Sequence, residues 1–418
     1  MTVQVTTLDS GLQVATDTFK TVETVSLGAW VSVGTRHEQP EHNGISHLLE
    51  HMAFKGTDHR SARSISEEIE AVGGHLNAYT SRENTAYFAK VLKDDLSLAT
   101  DIISDILQYS TLDPEELERE RAVIIQEINQ AHDTPDDIVF DYFQQAAYPN
   151  QAIGRPVLGS VALVEGIPRD TIKSFMTEQY ACDRIVLSAA GNVNHDEFVA
   201  LAQDTFTTLP FKSPRATETL DYVNGDYRES RDLEQLHLVM GFNGLSYLDI
   251  EYYPMAVLST LLGGGMSSRL FQEARERRGL VYSIYSFTSN YQDGGLLGIY
   301  AGTGGDNIGE LVPVICGEIT SVCGKVTENE LARAKAQLKS AILMALESSS
   351  SRCEQAARQL QIFGHTITIP EVIEKINAVN TDAVETVARR IFCSRPTIAA
   401  IGPTNKLDDY AHIENLLP

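Results

Sequence analysis

An α+β chain of two homologous domains is the fold class predicted here, and three observations predict it. At 418 residues the chain is long enough for two to four domains that each bury a core. The same order of strand and helix patterns occurs twice. Between the two runs lies Thr208-Leu-Pro-Phe-Lys-Ser-Pro-Arg-Ala-Thr-Glu-Thr219, which has two prolines and almost no apolar periodicity. These observations give an amino-terminal domain over 1–208, a linker over 209–230 and a homologous carboxy-terminal domain over 231–418.

In the first half, an apolar strand at Val25–Val33 leads through a loop containing Gly and Pro into an amphipathic helix at Gly44–Phe54. A second helix follows at Ser66–Val72, then Gly73-Gly74 and a strand pair over Leu76–Leu92. The second half places a strand at Leu236–Phe242 and helices at Tyr253–Leu262 and Phe271–Arg277. Gly279 follows, then strands at Val281–Ser289 and Gly294–Ala301, so Gly279 stands where Gly74 stood. Each half continues into a long helix. Pro114–Ala131 carries Leu117, Arg121, Ile124 and Ile128 at helical spacing, with Asp113 as cap and Pro114 at the first turn. Glu328–Glu347 is its counterpart.

Composition narrows the function. The chain is 43% hydrophobic and 22% charged, which is too apolar for disorder. Its formal net charge is −24, a surface that repels phosphate backbones and anionic lipid and favours a basic partner or substrate. A role on nucleic acid or membrane is therefore not expected. There is no apolar run of membrane-spanning length, and the first residues lack the basic start and hydrophobic core of a secretion signal. Cys182, Cys316, Cys323, Cys353 and Cys393 are scattered and odd in number, a pattern of reduced thiols rather than of a disulfide framework. A cytoplasmic protein is expected.

The chemistry concentrates in His47-Leu-Leu-Glu50-His51. Residues four apart share a helix face, so both imidazoles can reach one cation, with Glu50 beside it as a proton acceptor. Zinc bound by two such nitrogens needs a third protein ligand and an open position for water. The order His-x-x-Glu-His inverts the commoner zinc-protease motif. Leu48, Leu49, Met52 and Phe54 make the helix mostly apolar, which argues against a merely solvated polar face. For the third ligand, Glu120 and Glu127 lie on one face of the long helix around Ile124. Glu127 stands among Val123, Ile124, Ile125 and Ile128, an apolar setting in which a carboxylate is costly unless paired or bound to metal. Glu127 is read as a ligand and Glu120 as the hydrogen-bond partner of a ligating imidazole. Glu115, Glu116 and Glu118 read as surface charge.

His47-x-x-Glu50-His51 followed by Glu127 resembles the pitrilysin family of inverted-motif zinc peptidases, and within it the catalytic processing peptidases of mitochondria and their bacterial homologues. Several neighbouring words share the resemblance: His51-Met-Ala-Phe-Lys-Gly-Thr57, Gly74-His-Leu-Asn-Ala-Tyr-Thr-Ser-Arg82, Glu118-Arg-Glu-Arg121 and Val139-Phe-Asp-Tyr142. The match spans essentially the whole chain. It implies two α/β sandwich domains, each with an antiparallel-rich sheet covered by helices, facing each other as a clamshell. It also implies zinc-dependent endopeptidase activity, with His47, His51 and Glu127 as ligands of one zinc ion and Glu50 as general base.

Further residues take their expected roles from the resemblance. Asn77 and Ala78 lie on a strand that would pair with an extended peptide through its main chain, although spacing alone gives only an ordinary strand. Arg275 and Tyr282 match an Arg/Tyr pair that reaches the scissile carbonyl. By itself, Arg275 is equally a cap on the end of a helix. Asp137 and Asp141 match an acidic pair that recognises a substrate arginine, with Asp137 one methylene shorter than the Glu of the family pattern. The alternative for Asp133, Asp136, Asp137 and Asp141 is a solvated surface. Gly263-Gly-Gly265-Met-Ser-Ser-Arg269 lacks the Lys-Ser/Thr of a phosphate loop. It is also far shorter than the glycine-rich loop of the non-catalytic processing-peptidase partner.

The expected function is that of a zinc metallo-endopeptidase acting on extended peptides or unfolded targeting-type segments, with a preference for basic ones. A catalytically idle assembly subunit of the same fold is the competing reading, and a small-molecule metal hydrolase is a third without positive support. Long single-chain relatives carry four such domains, so a homodimer is expected, or else a heterodimer with a related subunit.

Overall fold

In the computed structural model, residues 3–213 and 217–418 are described, so residues 214–216 of the expected linker lie outside it. The chain divides into two compact units. Unit 1 comprises residues 1–130, 155–218 and 344–368, and unit 2 comprises 131–154, 219–343 and 369–418.

Unit 1 is built on a six-stranded sheet: β1 (Gln4–Thr7), β2 (Gln13–Thr18), β3 (Thr24–Val31), β4 (His75–Thr80), β5 (Thr85–Leu92) and β6 (Ile185–Gly191). Their order is β1-β2-β6-β3-β5-β4, with β2 and β6 parallel and the other pairs antiparallel. Strand β3 reads Thr-Val-Ser-Leu-Gly-Ala-Trp-Val and is buried along nearly its whole length because both sheet faces are covered. One face packs on a core that includes Val25, Leu27, Leu48, Leu49, Ile102 and Ile124. Trp30, Ala86, Val186 and Ala190 on the opposite face pack against Cys353, Ala356, Ala357 and Leu360.

Unit 2 holds β7 (Gly225–Ser230), β8 (Gln235–Asn243), β9 (Val281–Asn290), β10 (Gly295–Gly304) and β11 (Thr397–Gly402), in the order β7-β11-β8-β10-β9. This order repeats β2-β6-β3-β5-β4 strand for strand, and the parallel pair recurs as β7 with β11. The duplication read from the sequence is thus present in the topology. Its glycine landmark moves by one residue: Gly73 (φ 68°) and Gly279 (φ 63°) take the left-handed conformation, whereas Gly74 does not. Strand β7 lies inside the stretch read as linker. It is a polar edge strand, Gly-Asp-Tyr-Arg-Glu-Ser, so it carries no apolar signal.

One feature cuts across the sequence order. The helix Pro135–Ala147, from the first half of the chain, packs on β7, β8 and β11 of unit 2. The helix Ser349–Phe363, from the second half, packs on β2, β3 and β6 of unit 1. Each of these exchanged helices follows the long helix of its own half, Pro114–His132 or Glu328–Ala345. The second is held to unit 1 by polar contacts. Arg352 forks onto Asp17 at 2.7 and 2.8 Å, Ser349 Oγ meets Ser26 Oγ at 2.8 Å, and Ser188 Oγ donates to the Cys353 carbonyl at 2.8 Å.

Candidate metal centre

The motif helix spans Ile45–Ala53 and buries Ile45, Leu48, Leu49 and Met52 in the core of unit 1. Its start is fixed by residues outside it. Gly44 precedes it at φ 99°, where a side chain would be strained. The buried carboxylate of Glu38 accepts hydrogen bonds from Gly44 N (2.9 Å), Asn43 Nδ2 (2.9 Å) and Ser46 N (2.8 Å). An acidic side chain thus satisfies amides of the first turn and complements the helix dipole there. Burial pushes the Glu38 carboxyl up, and these hydrogen bonds oppose the shift.

With the helix anchored at one end, its polar face meets the long helix Pro114–His132. His47 Nε2 lies 3.7 Å and His51 Nε2 3.6 Å from Glu127 Oε2, and one ligand atom from each of the three residues lies within 4.8 Å of the others. Two imidazole nitrogens and a carboxylate oxygen converging in this way suit zinc. His51 Nδ1 lies 2.8 Å from Glu120 Oε2, and Glu120 Oε1 also receives Lys55 Nζ at 2.7 Å. A carboxylate so placed accepts a hydrogen bond from Nδ1–H, which keeps the proton on Nδ1 and leaves the His51 Nε2 lone pair facing His47 and Glu127. Among the described residues His47 has no such partner, and its Nδ1 is buried without a hydrogen bond. Burial, followed by the neighbouring His51, pulls the His47 pKa down to about 4, so the ring is neutral and able to ligate at pH 7. The residues present fit a zinc ion.

Glu50 is directed to the same region but is not among the three converging ligand groups. Its Oε2 accepts the Thr80 hydroxyl at 2.5 Å. Burial raises its pKa, the Thr80 hydrogen bond and His51 lower it, and Glu127 raises it, with a net upward shift.

The carboxylates differ from the expectation in burial. Glu120 is the deeply buried one, its side chain 7% exposed, whereas the Glu127 side chain is 39% exposed. The apolar run does not enclose Glu127: Val123, one turn earlier on the same side of the helix, is itself exposed, while Ile124 and Ile128 turn into the core.

The other expected residues lie as follows. Asn77 and Ala78 are on β4, which among the described residues pairs only with β5 and so ends the sheet. The Ala78 amide donates to Asn77 Oδ1 at 2.8 Å. In unit 2, the Arg275 guanidinium lies over the rings of Phe271 (4.8 Å) and Tyr282 (5.4 Å), and Tyr282 is largely exposed. Asp137 and Asp141 are one turn apart on the exchanged helix Pro135–Ala147. Burial, then Asp141 and Asp136, raises the Asp137 pKa. Glu38, Lys55 and Thr80 were missed as site residues.

Residues 13–161, which contain the whole His47/Glu50/His51/Glu120/Glu127 set, match the family described as insulinase (peptidase family M16). Residues 166–338 match the domain described as the peptidase M16 inactive domain. The chain belongs to peptidase family M16. Among its M16 relatives, the uncharacterized zinc protease YmxG of Bacillus subtilis is 38% identical over 404 residues, covering 96% of this chain and 98% of the relative. The mitochondrial-processing peptidase subunit beta of Homo sapiens is 38% identical over 427 residues, covering 99% of this chain and 87% of that one. A crystal structure of a protease from Helicobacter pylori shares the fold, with a TM-score of 0.88 at 22% identity over 96% of this chain and 99% of its own. The family expectation is therefore met, with both sheets flanked by helices. Among the described residues, no helix is long and apolar enough to cross a membrane.

Proposed function

We propose that the chain is a zinc metallo-endopeptidase that hydrolyses extended peptides or unfolded targeting-type segments, with a preference for basic ones. The observation carrying this reading is the convergence of His47, His51 and Glu127 with the hydrogen-bonded carboxyl of Glu50 beside them. Zinc bound there would supply a positive charge able to acidify a water and polarise the peptide carbonyl. His47, His51 and Glu127 hold the ion, and Glu120 keeps His51 in the ligating tautomer. Glu50 takes the proton from the attacking water and returns it to the leaving amine. The free side of β4 at Asn77 and Ala78 receives the peptide main chain, which restricts substrates to extended segments. The roles of Arg275 and Tyr282 at the carbonyl oxygen, and of Asp137 and Asp141 toward a substrate arginine, rest on family likeness. We read the protein as cytoplasmic and homodimeric, a heterodimer with a related subunit being the other arrangement.

The test is a digest of quenched peptides, basic and acidic, by purified protein with measured zinc content. Wild-type protein should carry about one zinc and cleave the basic set, and a chelator should abolish cleavage. Glu50→Gln should keep the zinc and lose about 100–10,000-fold in kcat. Near wild-type turnover by Glu50→Gln overturns the mechanism. Less than about a tenth of a zinc per chain, in protein never exposed to chelator, favours the idle assembly subunit.

A further inference from the structure

The two metal-binding imidazoles and the base stand on one helix and the third donor on another, whereas an extended peptide would lie along a strand, so hydrolysis needs helix and strand held in register to a fraction of an ångström. Thr80, the last residue of β4, joins them. Its hydroxyl donates to Glu50 Oε2 at 2.5 Å, and among the described residues it is the one hydrogen-bond donor to that side chain. The strand delivers this hydroxyl for a simple reason. Leu76 and Ala78 pack against the core that contains the motif helix, and Thr80 continues their alternation, while Tyr79 packs on the opposite face with Trp30.

The turn after β4 does not depend on the hydroxyl. Ser81 N donates to the Asn84 carbonyl at 2.7 Å, Ser81 Oγ to the same carbonyl at 2.9 Å, and Asn84 N to Ser81 Oγ at 3.1 Å. Thr80 is also paired with Thr85 on β5, whose hydroxyl is anchored on the Val33 carbonyl at 2.9 Å. The strand end is therefore fixed by other bonds, and the Thr80 hydroxyl, which accepts only a long contact from the Thr85 hydroxyl at 3.5 Å, directs its proton to the base.

We infer that Thr80 is a positioning residue for hydrolysis: its hydroxyl holds one oxygen of Glu50, leaves the other for the reacting water, and ties the base to the strand that receives the peptide. The inference rests on the peptidase reading above. A valine at 80 keeps the shape and the strand preference but leaves the carboxyl without its donor.

The experiment compares Thr80→Val, Thr80→Ala and Thr80→Ser with wild type, each with zinc content and Tm measured. It also compares peptide affinity of Glu50→Gln with that of the Glu50→Gln/Thr80→Val double variant. Thr80→Val and Thr80→Ala should lose about a hundredfold in kcat with KM within about twofold. Thr80→Ser should stay within about threefold of wild type, and every variant should keep its zinc. The double variant should bind peptide like Glu50→Gln and show no further loss of residual turnover. If Thr80→Val fails to fold, the contrast between serine and alanine decides the matter alone. Wild-type kcat in Thr80→Ala, or a hundredfold further loss on adding Thr80→Val to Glu50→Gln, overturns the positioning role while the peptidase reading stands. Absence of hydrolysis by wild type overturns both.

Discussion

Replacing Glu120 by alanine removes the one acceptor among the described residues for His51 Nδ1 and strands Lys55 at the same time. The His51 contact is 2.8 Å and the Lys55 contact 2.7 Å, on a side chain that is 7% exposed. A hydrogen bond to a charged group contributes about 1.5–3 kcal/mol, more than a neutral pair does. Loss of a residue that orients a ligand through its second nitrogen typically weakens metal binding about 10–100-fold, which is about 1.4–2.8 kcal/mol. The two ranges agree, so Glu120→Ala should weaken zinc binding by at least tenfold. Glu120→Gln keeps an acceptor oxygen without the charge and should lose less. The assay is competition for zinc against a chromophoric chelator at fixed pH, with Tm of the apo forms as a check on folding. Zinc affinity of Glu120→Ala within twofold of wild type, in a folded protein, would refute the argument that Glu120 sets the His51 tautomer.

Two further outcomes follow from local geometry. Gly44→Ala forces a side chain into φ 99° with its Cβ 2.9 Å from the Leu158 carbonyl oxygen; a cost of about 2–3 kcal/mol should appear as a drop in Tm of several degrees, and an unchanged Tm would refute it. In unit 2, burial pushes the Glu330 carboxyl up, but hydrogen bonds from Arg269 and Thr327 outweigh this and hold it at about 2. A depressed carboxyl stabilises the fold above its unfolded value of about 4.3, and that contribution is lost as pH falls toward about 2. Denaturant unfolding of Glu330→Gln should therefore show a smaller loss of stability than wild type over that window.

The parts of the site that were legible from sequence are those set by local periodicity. His47, Glu50 and His51 share one helix face by spacing alone, and Glu120 and Glu127 share another. What escaped depends on long-range closure. Glu38 caps a helix from six to eight residues upstream, through a loop whose path no spacing rule gives. Thr80 gains its meaning only when β4 is laid beside the motif helix. The Glu127 surroundings were misjudged because an apolar run along the chain wraps around a helix and faces several directions. In the fold, the repeated strand order was visible, but β7 was hidden by its polar composition. The destinations of Pro135–Ala147 and Ser349–Phe363 were invisible, since an amphipathic helix records that it needs a sheet and not which one.

That reciprocal exchange constrains how the molecule comes into being. The face of the first sheet carrying Trp30, Val186 and Ala190 is covered by Ala356, Ala357 and Leu360. A ribosome adding about 5–20 residues per second emits the last strand of that sheet long before residue 363, leaving the face open for several seconds at least. The amino-terminal half is thus an unfinished object throughout most of its synthesis, and neither half can be excised as an independently inherited module without stripping a layer from the other.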